Sequence, residues 1–354
     1  MKIAVYAISK NESKFVETFC NSAKDADLIL IADTGSSDDT VIKAKQCGAI
    51  VHDICISPWR FDKAREAALA LLPRDIDVCI SLDLDEQLEP GWREELERVW
   101  TKDTTRMRYK FDWGSGIVFY SEKIHARSGY VWKHPCHEYI TLDPRTKEVW
   151  AHTDKLMITH HPDPAKSRSS YMELLEVAIK EDKQCPRNSF YYARELTFNF
   201  RWQEAIEALH HYLGLPDAKW EHERCYAMRL LGKSHEHLNN TAESFRWYRL
   251  ACAEAPATRE PWMDLAAAAY KLNLWQECYY AAMTAISITK RHEVYTSDPI
   301  CWTERPYDYA CIAAYGLGLN DKAIELCEKA IEINPNDLRL KNNLHLITTT
   351  VQHV

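Results

Sequence analysis

Three acids, Asp83, Asp85 and Glu86, close the stretch DVCISLDLDE, directly after an apolar run that reads as a buried strand. Two acids two residues apart recur by chance, and on a loop they form no more than a solvated turn. At a strand end they imply more. Alternation along an extended segment puts Asp83 and Asp85 on one side, where two close carboxylates repel unless a positive charge joins them. Mg2+ or Mn2+ meets that need, accepting one or two carboxylates and filling its shell with water and phosphate oxygens. The expected ligand is a nucleotide diphosphate.

The elements that must position these acids alternate. KIAVYAIS, DLILIAD, AIVHDI and DVCISLDLD read as strands, and ESKFVETFCNSAKDA, DDTVIKAKQCG and FDKAREAALALLP read as the helices between them. Strands alternating with helices imply βαβ units and a parallel sheet covered on both faces. Such sheets bind ligands at the carboxyl ends of their strands, where Ser9 to Glu12, Asp33 and the acids fall. Beyond Glu86, MRYKFDW, GIVFYSEKI, GYVWKH and KLMITHH suggest a mixed edge of the same domain, ending near Pro164.

In order, AISKNE, IADTGSSDDT, WRFDKAREAALA and ISLDLDE resemble four motifs of the family-2 glycosyltransferases of the GT-A fold, covering about Ala7 to Glu86. The resemblance implies an α/β GT-A, Rossmann-like and mostly parallel domain. It implies that the chain around Ala7, Ser9, Asn11 and Glu12 lines a nucleotide pocket, and that Asp33 bonds the donor's base. Asp83 with Leu84 would sit at the ribose or metal-bound water, Asp85 on the metal, and Arg65 near the diphosphate; the plainer reading of Arg65 is a helix-surface cation. Two departures stand out: Thr34 where many relatives have a second acid, and Glu66 where relatives have Asn.

Sugar transfer also needs a group to take the acceptor's proton. HPCHEYI offers Glu138, beside His137, in a segment similar to one in this branch of the family; the bland alternative is a structural pair in a loop. ITHHP offers His160 or His161 as a further metal ligand beside Asp83 and Asp85. Adjacent strand residues face opposite ways, so one of the two serves, and His160 is preferred. A single base implies inversion at the anomeric carbon, as does the resemblance. Trp59, Trp113 and Trp132 could stack on sugars, although tryptophans more often pack.

After residue 164 the chain reads as helix and repeats itself. EAIEALHHYLGLP, ESFRWYRLACAEAP, ECYYAAMTAISI and KAIELCEKAIEINP share a frame set by Ala205, Ser244, Cys278 and Ala323, at intervals of 39, 34 and 45 residues. The shortest interval is the tetratricopeptide period, and the longest requires an insertion such as HEVYTSDPICWTER. The expectation is an all-α tetratricopeptide-like repeat domain over 165–354 following the first domain over 1–164.

Composition sets limits. With 354 residues, 46% hydrophobic and 27% charged, the chain reads as about two folded domains. A net charge of −8 provides no global basic field for nucleic acid, although Arg106, Arg108 and Lys110 leave a local patch. The 12 cysteines show no CxxC pair and read as reduced thiols of a cytoplasmic protein, and no apolar run is long enough to insert in a membrane. The resulting expectation is a metal-dependent transferase using Mn2+ or Mg2+ and a nucleotide-diphosphate sugar, preferably a UDP-sugar. Its acceptor would be a protein, peptide or glycan recruited by the repeats, which could equally join two copies as a homodimer. The competing readings are a repeat-based binding module with a degenerate nucleotide-sugar domain, a nucleotidyltransferase, and a DNA-base glycosyltransferase.

Overall fold

The computed structural model describes residues 1–164 and 170–351. Its contacts divide the chain into two compact units, Met1–Lys183 and Gln184–Val354. The division expected after residue 164 falls within the first unit.

The first unit runs β1 (Ile3–Ser9), α1 (Val16–Ser22), β2 (Leu28–Asp33), α2 (Thr40–Gln46), β3 (Ile50–Asp53), α3 (Phe61–Leu71), β4 (Val78–Ser81), β5 (Glu86–Leu88), α4 (Trp92–Val99), β6 (Arg106–Asp112), β7 (Val118–Ala126), β8 (Tyr130–Lys133), β9 (Tyr139–Leu142), β10 (Trp150–His160) and α5 (Tyr171–Glu181). All seven residues of β1 are buried because both faces are covered. Ile3, Val5 and Ala7 enter a core with Phe19 of α1, while Ala4, Tyr6 and Ile8 enter a second with Ala64 and Ala68 of α3.

The expected α/β GT-A, Rossmann-like, mostly parallel sheet is corrected by the strand pairing. Eight strands lie in the order β3-β2-β1-β4-β7-β6-β10-β5. β7 runs antiparallel to both β4 and β6, and β5 runs antiparallel to β10, so the sheet is mixed. The cause is local. A parallel neighbour needs a crossover of about a dozen residues, but only 113–117 link β6 to β7, and there Gly114, Ser115 and Gly116 all take positive φ. That turn closes a hairpin and places β7, expected at an edge, inside the sheet. The short ribbon of β8 and β9 packs Tyr130, Trp132, Ile140 and Leu142 into the core shared with α3.

The second unit is helical: α6 (Pro186–Phe198), α7 (Trp202–Gly214), α8 (Glu221–His237), α9 (Thr241–Glu254), α10 (Arg259–Lys271), α11 (Trp275–Ser287), α12 (Arg305–Gly316), α13 (Asn320–Ile333) and α14 (Leu338–Val351). Its repeat is visible in the backbone. Phe200, Asn239, Asn273 and Gly318 each take left-handed φ in the turn that opens α7, α9, α11 and α13. Each lies five residues before one of the frame residues Ala205, Ser244, Cys278 and Ala323, all of them buried. Close crossings explain the small residues: a Cβ at Gly232 of α8 would lie 2.5 Å from the Tyr248 ring, and one at Gly316 of α12 would lie 2.7 Å from Trp275. Among the described residues no helix is long and apolar enough to cross a membrane.

Candidate active site

The acids stand where β4 ends, and the chain there turns. The Glu86 amide donates to the Asp83 carbonyl at 2.9 Å, and Leu82 and Leu84 are fully buried in the core. Leu84 therefore anchors the turn and does not line a pocket. Asp83 and Asp85 are dealt to different partners, unlike the common side expected of an extended segment. Asp83 accepts from Arg65 Nη2 at 2.6 Å and lies 3.6 Å from Lys123 Nζ; Glu86 accepts from the same ammonium at 3.0 Å. Asp85 faces His160, with Oδ2 3.5 Å from Nε2.

Arg65 is 4% exposed, which removes the helix-surface reading. From α3 it donates to Asp83 and, through Nε at 2.5 Å, to Glu138, while its guanidinium lies 5.1 Å from the Trp132 ring. Burial alone would lower its pKa, but the charges of Asp83 and Glu138 raise it well above the usual value. Glu138 reaches Arg65 because the β8–β9 ribbon packs on α3, with His134 and His137 in left-handed conformations between the two strands. Tyr171 of α5 stands edge-on to both His137 and Phe61 and closes this side. Glu66 faces Lys63 at 2.8 Å, so it adds no charge to the Arg65 cluster.

Lys123 is the residue that sequence reading missed. It stands partly buried between Asp83 and Glu86, whose charges raise its pKa against the opposing effect of burial. Strand β7 positions it, and only the antiparallel insertion of β7 beside β4 brings it to the acids. Its sole signal in the sequence is a lysine within the strand VFYSEKIHA, beside Glu122 and His125.

Asp33 is 2% exposed and already engaged. Its oxygens accept from Ser9 Oγ at 2.8 Å, Ser36 Oγ at 2.5 Å, the Ser36 amide at 2.8 Å and the Gly35 amide at 3.0 Å. These bonds outweigh burial and lower its pKa. Thr34, the departure from the family pattern, donates its hydroxyl to the Ser9 carbonyl at 2.8 Å. Asn11 Oδ1 accepts the Ser37 amide at 2.7 Å, and the Glu12 amide donates to Thr40 at 2.8 Å, so the loops after β1 and β2 are tied together. Ala7 is buried and its side chain packs in the core. Ser9, Asn11, Glu12 and Asp33 thus lie in or beside the tied loops after β1 and β2, while Ala7 lies below them in the core.

No family model matches the chain. It is 30% identical over 99 residues to a protein of Rickettsia bellii, and 32% identical over 101 residues to one of Rickettsia prowazekii, both named as uncharacterized glycosyltransferases. The similarity is to glycosyltransferases. The match takes in 28% of this chain and spans about a third of the length of these relatives. Among solved structures, MamA aligns with 48% of this chain at 16% identity and a TM-score of 0.39. PilF of Pseudomonas aeruginosa aligns with 48% at 15% identity and a TM-score of 0.38. At such scores neither likeness bears on function, and the repeat reading rests on the helices themselves.

A glycosyltransferase of the resembling type implies a divalent cation, and the donor set can be tested against one. Among the described residues no three His, Cys, Asp or Glu side chains converge as a complete cage. Asp85 and His160 do converge, both about nine-tenths buried, and His160 Nδ1 is buried without a hydrogen-bond partner while its ring lies 4.4 Å from Trp113. Burial would lower the His160 pKa, but Asp85 and Glu86 raise it. His161 is exposed. The pair fits a cation that takes one carboxylate and one imidazole from the protein and the rest of its shell from water and phosphate. Asp83 is held by Arg65 and Lys123.

Proposed function

We propose that the first unit transfers a sugar from a nucleotide-diphosphate sugar, with UDP as the preferred nucleotide, to an acceptor hydroxyl or related nucleophile. The observation that carries this reading is one connected network at the end of β4: Glu138, Arg65, Asp83, Lys123 and Glu86 linked in series, with Asp85 facing His160. Asp85 and His160 would hold Mn2+ or Mg2+, which supplies charge to neutralise the leaving diphosphate. Lys123 and Arg65 place two fixed cations at the same spot and keep Asp83 from repelling the phosphates. Arg65 holds Glu138 by Oε1, and Glu138 takes the acceptor's proton as the new bond to the anomeric carbon forms. The old C–O bond breaks with its electron pair going to the diphosphate, which inverts the anomeric carbon. Trp113, half exposed beside His160, offers a flat face to the sugar. The helical unit serves to recruit a protein, peptide or glycan acceptor.

Thermal unfolding of wild type and Asp85→Ala with Mn2+ and each of UDP, GDP, CMP and ADP tests the donor site, since a ligand that binds only the folded state raises Tm. A metal-dependent rise with one nucleotide, lost in Asp85→Ala, is expected. No rise with any nucleotide overturns the reading and leaves the helical unit as the working part.

A further inference from the structure

Strands β8 and β9 pair with each other and, among the described residues, with no strand of the main sheet. Glu138 directly precedes β9, so the place of the proposed base depends on what fastens this ribbon. At its far end the Tyr130 hydroxyl donates to Glu148 Oε1 at 3.0 Å and lies 3.2 Å from Thr105 Oγ1. At its turn the Pro135 carbonyl accepts the Phe61 amide at 3.0 Å. Between them stands Trp132.

Trp132 is 3% exposed, which removes it from sugar stacking, and its Nε1 donates to the Tyr6 hydroxyl of β1 at 3.0 Å. The proton directions around Tyr6 follow from the end of the chain of bonds. His125 Nδ1 lies 2.8 Å from the Ala126 carbonyl, which can only accept, so Nδ1 carries the proton. Burial keeps this imidazole uncharged, with its pKa lowered to about 3, and leaves Nε2 a bare acceptor. Tyr6 therefore donates to His125 Nε2 at 3.0 Å and offers its own oxygen to Trp132. Tyr6 and His125 are fully buried, so no water competes for these bonds.

The same indole faces Arg65, whose guanidinium carbon lies 5.1 Å from the ring centroid. Arg65 donates from Nη1 to Ser81 Oγ at 3.3 Å, from Nη2 to Asp83 at 2.6 Å and from Nε to Glu138 at 2.5 Å. A ring against its face fixes the plane of a guanidinium, and that plane fixes the line along which Nε–H meets Glu138. Trp132 thus joins two fastenings, one to the central strand and one to the arginine that holds the base.

We propose that Trp132 is a positioning residue for sugar transfer: held by Tyr6 through its N–H, it sets the plane of Arg65 and so aims Glu138 at the acceptor. Its consequence for turnover rests on the sugar-transfer reading, whereas its hold on Arg65 does not.

Trp132→Phe keeps a ring and removes the N–H, and Tyr6→Phe removes the hydroxyl that receives it. UDP release from UDP-glucose, UDP-galactose and UDP-N-acetylglucosamine with Mn2+ should show kcat reduced tenfold or more in each variant, with the Kd for UDP and Mn2+ within twofold of wild type. The double variant should be no slower than the slower single one, because both lose the same bond. Tyr130→Phe, which frees the far end of the ribbon, should keep kcat within twofold. Hydrogen exchange at Arg65 Nε, followed by NMR with 15N-arginine and assigned by its loss in Arg65→Lys, should quicken tenfold or more in Trp132→Phe. Unchanged kcat in both single variants, losses that multiply in the double variant, or an unchanged exchange rate at Arg65 overturns the proposal. If the wild type releases no UDP, exchange at Arg65 decides the positioning by itself; if it also binds none, the sugar-transfer reading is what has failed. Should Tyr6→Phe not fold, Trp132→Phe and the exchange rate decide.

Discussion

At the end of β4, Asp83, Glu86 and Glu138 each rest against Arg65 or Lys123, whereas in the helical unit Glu260 rests against a hydroxyl and an amide. The first arrangement is balanced by the chain itself, so it can hold its shape before any substrate arrives and act as a preorganised electrostatic surface. In the second, the Ser297 hydroxyl that donates to Glu260 itself accepts from Arg291 Nε at 3.0 Å, so the cation reaches the acid through one hydroxyl. Burial of an acid is therefore not one signal but two, distinguished by whether its counter-cation touches it directly or acts through a hydroxyl.

The comparison is broken most forcefully at Arg65. Arg65→Met strands Glu138 and leaves Asp83 only the more distant Lys123, and a loss of about 3 kcal/mol in urea unfolding of the first unit is expected, because removing one partner leaves a buried charge uncompensated. A loss below about 1 kcal/mol would show that water already shields Glu138. Lys123→Met should cost less stability, since Asp83 keeps Arg65, yet it should lower turnover at least tenfold and weaken nucleotide-diphosphate binding, read by titration with and without Mn2+. In the helical unit, Gly232→Ala drives a methyl into Tyr248 and should cost about 1–3 kcal/mol by overpacking, leaving nucleotide binding unchanged. Lys63→Ala is the smallest case: its pair with Glu66 is exposed, and a change within about 1 kcal/mol is expected.

A pH series sharpens the same contrast. His125 is wholly buried, its Nε2 is 3.0 Å from the Tyr6 hydroxyl, and burial lowers its pKa to about 3. The unfolded chain binds a proton near pH 6.5 that the folded chain refuses, so stability is full above that pH and falls as the pH drops toward 3. The urea midpoint of the first unit should decline over this window, and His125→Gln should flatten the decline. An unchanged slope in the variant would assign the acid lability to the carboxylates instead.

How much of this was legible in the sequence differs along the chain. The βαβ half was readable from runs such as IAVYAIS because its pairings follow helical crossovers, and the helical repeats because small residues recur in one frame. The mixed sheet was not, because strand direction beyond Glu86 is decided by the five residues 113–117 and not by periodicity. The acid turn shows the same limit. Its three carboxylates were visible as a cluster, but the expectation that Mg2+ or Mn2+ meets their charge did not count Lys123, 37 residues away from Glu86 and brought in by β7. Asp33 was visible as a strand-end acid, while its four donors came from loop geometry that no spacing reveals. His160 and His161 could be told apart by alternation in principle, and the side that faces Asp85 is His160.

The antiparallel seat of β7 also bears on how the chain acquires its shape. β1 pairs with β4 across some seventy residues, β4 waits for β7, and β5 finds β10 only after another sixty or so have been made. Folding slows as contacting residues lie further apart in sequence. Helices α6 to α14 pack mostly on their immediate successors and so can close in sequence as they appear. On the ribosome the first unit begins earlier and needs Trp150–His160 before its sheet is complete, so its unpaired strand edges stay exposed longest. The chain's exposure to misassembly is thus concentrated in its first 160 residues.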